Sequence, residues 1–120
     1  MKSILIVDDK QELAKIVTLY LSSSFQVVYK ENPVKAITWL NEGNIPDGII
    51  SDLNMPEMNG EEFLCYLKSN NLFNHIPVLM LSSEDSSSVR IKLLEEGAED
   101  FIMKPFNPEE LRIRLKKLIK

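Results

Sequence analysis

Short apolar runs and amphipathic stretches alternate five times along this chain, a pattern that few folds accept. Ile4-Leu5-Ile6-Val7 is a continuous apolar run of strand length that ends directly on acids. Leu13, Ile16, Val17, Tyr20 and Leu21 then recur at helical spacing and predict an inward-facing stripe. Phe25 to Tyr29 reads as a second strand. Asn32-Pro33 is an N-cap with proline at the first helical position. It opens a helix that carries Val34, Ile37 and Leu40 inward and stops near Gly43. Gly48 to Ser51 is a third strand. Asn59 with Glu62 three residues on is a capping box, and the helix behind it places Phe63, Leu64 and Leu67 inward. Pro77 precedes a fourth strand, Val78 to Leu81. A serine-rich segment leads into a fourth helix around Val89 to Glu96, with Gly97 as its stop. Phe101 to Met103 is a short fifth strand. Asn107-Pro108-Glu109-Glu110 starts a last helix that carries Leu111, Leu115, Leu118 and Ile119.

Strict strand–helix alternation implies a parallel sheet covered by helices on both faces. Right-handed crossovers leave few topologies. The expectation is an α/β chain with a five-stranded parallel sheet in the order 2-1-3-4-5, a flavodoxin-like (βα)5 fold. A length of 120 residues suits one domain spanning 1–120, large enough to bury a core without staples. The charge of −4 argues against direct nucleic-acid binding, which needs a basic face. The single cysteine, Cys65, has no intramolecular partner and reads as a buried, inert thiol suited to a reducing cytoplasm. No apolar run reaches membrane-spanning length and no leader pattern follows Met1, so a soluble cytoplasmic protein without membrane contact is expected.

In open α/β sheets ligands bind beyond the carboxyl ends of the strands. Here those ends carry Asp8-Asp9, Asp52, Ser82 and Lys104-Pro105. With strands 1 and 3 adjacent, and 4 and 5 beside them, three carboxylates, a hydroxyl and an ammonium converge on one rim. Close carboxylates repel unless a cation offsets them. Mg²⁺, which takes a few carboxylates together with water and phosphate, is the natural guest. A phosphoryl group is the natural second guest, since its oxygens bind a metal, an ammonium and a hydroxyl together.

The stretches ILIVDDK, ISDLNMPEMNG, VLMLSSE and GAEDFIMKPF, in this order and spacing, resemble the receiver domains of bacterial two-component response regulators over the whole chain. The resemblance implies that Asp52 is the phosphorylated residue. It implies Mg²⁺ held by Asp9 and Asp52, by Asp8 mainly through water, and by the backbone carbonyl of Asn54. Lys104 would pair with the phosphoryl group, with a cis bond to Pro105. Ser82 and Phe101 would be the hydroxyl and aromatic members of the switch. Asn54 and Glu84 would border the water that hydrolyses the acyl phosphate, implying a short-lived phosphorylated state. Ser83 stands where alanine is common, a small-for-small exchange. The implied donor is a histidine kinase or phosphotransfer protein. The implied readers of the helix 4–strand 5–helix 5 face are an effector domain, a partner protein, or a second copy on phosphorylation. The chain would catalyse only its own phosphorylation and dephosphorylation and would not be an enzyme acting on a metabolite.

Each residue also has a plainer reading. Asp9 with Glu12 makes a capping box, Asp52 can start a turn, and Lys104-Pro105 can be an extended dipeptide. Ser82 can be a loop hydroxyl and Phe101 a core residue. His75 reads as a surface residue, and Trp39 and Tyr66 as residues of the core margin. Two rival functions share the fold. A flavodoxin-like electron carrier needs a phosphate-binding loop after strand 1, which the sequence lacks. A degenerate receiver serving as a phosphorylation-independent interaction module would lack one of the site residues, and none is missing.

Overall fold

The computed structural model describes residues 1–84 and 86–119. Lys120, the last residue of the expected domain, lies outside them. Five strands, β1 (Ser3–Val7), β2 (Gln26–Lys30), β3 (Gly48–Asp52), β4 (Val78–Ser82) and β5 (Asp100–Met103), alternate with five helices. The helices are α1 (Gln11–Leu21), α2 (Pro33–Asn41), α3 (Gly60–Lys68), α4 (Ser87–Glu95) and α5 (Pro108–Leu118). The sheet is parallel throughout and ordered β2-β1-β3-β4-β5, as the alternation predicts. Element limits differ from the sequence reading by a residue or two. The largest difference is at α4, which starts at Ser87 because the Ser86 hydroxyl accepts from the backbone N–H of Val89 and caps the helix there.

Alternation along the strands builds two cores. Ile4, Ile6, Ile50, Leu79, Leu81 and Ile102 face α1 and α5. Their chain neighbours Leu5, Val7, Ile49, Val78, Met80 and Phe101 face α2, α3 and α4. Every residue of β3 and β4 is buried, as expected for central strands covered on both sides.

The helix signals hold at α2, where the Asn32 side chain accepts from the N–H of Lys35, and at α3, where Asn59 and Glu62 form both bonds of the capping box. The α1 stripe needs correction. Ala14, Val17 and Leu21 face the core, whereas Ile16 is 58% exposed and Tyr20 also lies outside. Val34 is likewise exposed while Ala36 is buried. In both helices alanine fills the close approach to the sheet, while Ile16 and Val34, each two residues from it, fall on the opposite side of the helix. Cys65 also departs from expectation, because it is exposed on α3. Trp39 and Tyr66 pack on the core margin, and His75 is exposed.

Candidate functional site

The carboxyl ends of β1, β3, β4 and β5 meet at one rim and are held in register by backbone bonds. The N–H of Leu53 donates to the Leu81 carbonyl at 3.0 Å, and that of Lys104 donates to the Ser82 carbonyl at 2.7 Å. On β1 the Tyr29 hydroxyl donates to the Asp8 carbonyl at 2.6 Å, fixing the strand end from the β2 side.

Asp8, Asp9 and Asp52 each place a carboxylate oxygen within 4.8 Å of the others. Asp8 and Asp52 are each only 3% exposed, while Asp9 stands at the open side. Asp9 does not cap α1. The cap position belongs to Lys10, which makes no side-chain cap bond. Instead Asp8 serves the local turn, its Oδ1 accepting from the Lys10 N–H at 2.8 Å. The capping-box reading of Asp9 with Glu12 is therefore set aside, since the chain enters α1 one residue later.

Lys104 reaches the same cluster from β5. Its Nζ lies 2.9 Å from Asp52 Oδ1 and 3.4 Å from Asp8 Oδ2. Lys10 comes from the opposite side, with its Nζ 3.5 Å from Asp52 Oδ2 and 3.5 Å from Asp9 Oδ1. Burial raises the pKa of Asp8, against the pull of the Lys10 backbone N–H and the Lys104 ammonium, with the nearby Asp52 adding to the rise. Desolvation and a neighbouring like charge thus both disfavour its ionised form. Three carboxylates facing two ammonium groups leave excess negative charge, and the donors are all hard oxygens. That set fits Mg²⁺.

Ser82 is fully buried, and its hydroxyl accepts from the Glu84 N–H at 2.9 Å. Phe101 is buried in the α2–α4 core. Ser82 pairs in register with Met103, and Phe101 lies two residues earlier on β5, on the same face of the sheet. Asn54 and Glu84 are both exposed beside the rim. The Lys104–Pro105 bond is cis.

Sequence reasoning missed three residues here. Lys10 was hidden in the run of acids it follows. Tyr29 acts from a strand that carries no site residue. Gly60 packs so closely that an added Cβ would lie 2.2 Å from the Asp52 carbonyl oxygen and 2.8 Å from Leu53 Cα. Its signal was available, since a glycine opening a helix just after the Asp52 segment marks a close backbone approach.

Residues 4–116 match the response regulator receiver domain family. Among curated relatives, the chain is 36% identical over 99% of its length to the phosphate regulon transcriptional regulatory protein PhoB of Escherichia coli (strain K12), covering 52% of that protein. It is 35% identical over 97% of its length to the sensor histidine kinase TmoS of Ectopseudomonas mendocina, covering 12% of it. The chain thus spans about half or less of these relatives. Among solved structures it resembles the receiver domain of Francisella response regulator 1452, with a TM-score of 0.92, 28% identity, and coverage of 99% of this chain and 97% of that one. It also resembles the chemotaxis protein CheY4 of Vibrio cholerae, with a TM-score of 0.91, 31% identity and 98% of each chain covered.

Proposed function

The chain belongs to the response regulator receiver domain family of two-component signalling, and from that membership we propose that it is a Mg²⁺-dependent switch phosphorylated on Asp52. The observation that carries the reading is the cluster itself: three carboxylates within 4.8 Å at adjoining strand ends, with Lys104 2.9 Å from Asp52.

Asp9 and Asp52 would hold the ion directly, Asp8 through water, and Asn54 through its carbonyl. Bound there, Mg²⁺ would offset charge on the phosphoryl oxygens. Asp52 is the nucleophile. One of its oxygens bonds to the donor's phosphorus as the bond from phosphorus to the donor group breaks, and the donor keeps that electron pair. With a phosphohistidine donor the leaving group is the imidazole. Lys104, already against Asp52 Oδ1, moves its ammonium onto a phosphoryl oxygen. Ser82 exchanges the Glu84 N–H for the phosphoryl group, which requires its hydroxyl to move inward. That movement opens space on the face it shares with Phe101, and the ring turns into it. Phenylalanine brings no hydroxyl that would need a partner there. The altered surface is α4, β5 and α5, available to an effector domain, a partner protein or a second copy. Asn54 and Glu84 would orient the water that later attacks phosphorus and restores the Asp52 carboxylate.

The donor protein would sit beside the rim. Leu13, Ile16, Val17, Pro105, Phe106 and Pro108 line an apolar groove that runs up to Lys104. The exposed Ile16 supplies an apolar contact that a phosphohistidine-bearing donor can cover.

The test is intact mass after incubation with acetyl phosphate. The protein should gain one phosphoryl group with Mg²⁺ and none with chelator. An unchanged mass under both conditions would overturn the reading.

A further inference from the structure

The side chain of Lys10 lies against the two carboxylates that the proposed function assigns to the metal. Its ammonium is 3.5 Å from Asp9 Oδ1 and 3.5 Å from Asp52 Oδ2. Lys104 already takes the other oxygen of Asp52. Both oxygens of the proposed nucleophile are therefore paired to ammonium groups. The two lysines differ in burial: the Lys104 side chain is 15% exposed and that of Lys10 is 58% exposed. Lys104 is held by the fold, whereas Lys10 can leave for water at little cost.

We propose that Lys10 is a tethered counter-ion that competes with Mg²⁺ for Asp9 and Asp52 and so sets the metal concentration at which the site becomes competent. The inference rests on the metal reading of the site. With Lys10 in place, three carboxylates and two ammonium groups carry one net negative charge. With Lys10 swung out, the same site carries two, which a divalent ion neutralises. The ammonium lies against two of the three carboxylates that would hold the ion, so the two occupants compete. Since exposed ion pairs are weak, the effect on affinity is modest, on the order of three- to tenfold.

The experiment is a Mg²⁺ titration of the free domain, followed by backbone amide shifts of the rim. Wild type, Lys10→Gln, Lys10→Arg and Lys15→Gln are compared. Lys15 is an exposed α1 lysine, and its replacement makes the same change in net charge. Lys10→Gln should tighten Mg²⁺ binding by roughly three- to tenfold, since an exposed pair competes only weakly, while Lys10→Arg and Lys15→Gln stay near wild type. The gain should shrink at high salt, where exposed charges are screened. Equal affinity in wild type and Lys10→Gln, or an equal gain in Lys15→Gln, would overturn the counter-ion role and leave the metal site standing. Failure of wild type and Lys10→Gln alike to bind Mg²⁺ would overturn the metal reading, and this inference with it.

Discussion

Asp8 and Asp52 are carboxylates shut away from water, and the charges around them decide what they can do. Asp52 is 3% exposed and has an ammonium beside each oxygen. Asp8 has less help, and burial lifts its pKa. Elsewhere single residues show the same competition. The Cys65 thiol donates to Glu96 Oε2 at 3.0 Å, and this bond, with burial second, pushes its pKa up to about 11. The thiol is thus quiet although exposed, because the thiolate is the reactive form. Alkylation by iodoacetamide should be slow at neutral pH and rise steadily with pH. Glu96→Gln should speed it at neutral pH, and equal rates would contradict the account. The lone cysteine in an apolar stretch suggested a buried, inert thiol. Cys65 is exposed instead, and what holds its pKa up is a carboxylate 31 positions away that no local pattern reveals. Lys10 was missed for a similar reason. Its charge was visible, but only the fold shows that a residue next to Asp9 also reaches Asp52.

At the scale of elements, starts and close approaches dominate. Asn59 caps α3 through a full capping box, so Asn59→Ala should lower stability by about 1 kcal/mol in urea unfolding. Gly60→Ala should do more harm, because its Cβ meets backbone atoms of Asp52 and Leu53 and cannot be relieved by a rotamer change. Overpacking of this kind costs about 1–3 kcal/mol, and it should also cut acetyl phosphate labelling by shifting Asp52. Wild-type labelling in Gly60→Ala would show that α3 yields without moving β3. Between α1 and α5, Glu109 joins Tyr20 to Arg112. The bonds from Arg112 first and Tyr20 second hold its pKa at about 2, against 4.5 ordinarily. Its contribution to stability is present above about pH 4.5 and lost as pH falls toward 2. The gap in urea midpoint between wild type and Glu109→Gln should therefore close across that range; a gap independent of pH would contradict the ion pair. On the exposed side of α1, Ile16→Glu should slow transfer from a phosphohistidine protein and leave acetyl phosphate labelling unchanged. Equal loss with both donors would remove the groove as the donor's seat. Strand order and most helix limits were legible because apolar runs and caps are local. The faces of α1 and α2 were legible only in part: Leu13, Val17, Leu21, Ile37 and Leu40 pack on the cores as read, whereas Ile16, Tyr20 and Val34 do not, because Ala14 and Ala36 bury as well as larger residues where helix and sheet lie close.

Across the whole molecule, the parallel sheet performs one task at its carboxyl edge. Two cores, one under α1 and α5 and the other under α2, α3 and α4, clamp the central strands from both faces. Backbone bonds from Leu53 to Leu81 and from Lys104 to Ser82 then keep four strand ends in register. Residues far apart in the chain, Asp8, Asp52, Ser82 and Lys104, thereby meet on one frame, with the Ser82 hydroxyl bonded to the Glu84 N–H. On the proposed function, this frame makes Asp52, among the acids at the rim, the one that takes the phosphoryl group. The direct measurement is to phosphorylate the protein with acetyl phosphate and Mg²⁺, trap the acyl phosphate with borohydride, and map the reduced residue by peptide mass spectrometry. Reduction is expected at Asp52 alone, and none in Asp52→Asn or with chelator. Trapping at Asp8 or Asp9 in the wild-type protein, or labelling of Asp52→Asn equal to wild type, would contradict it.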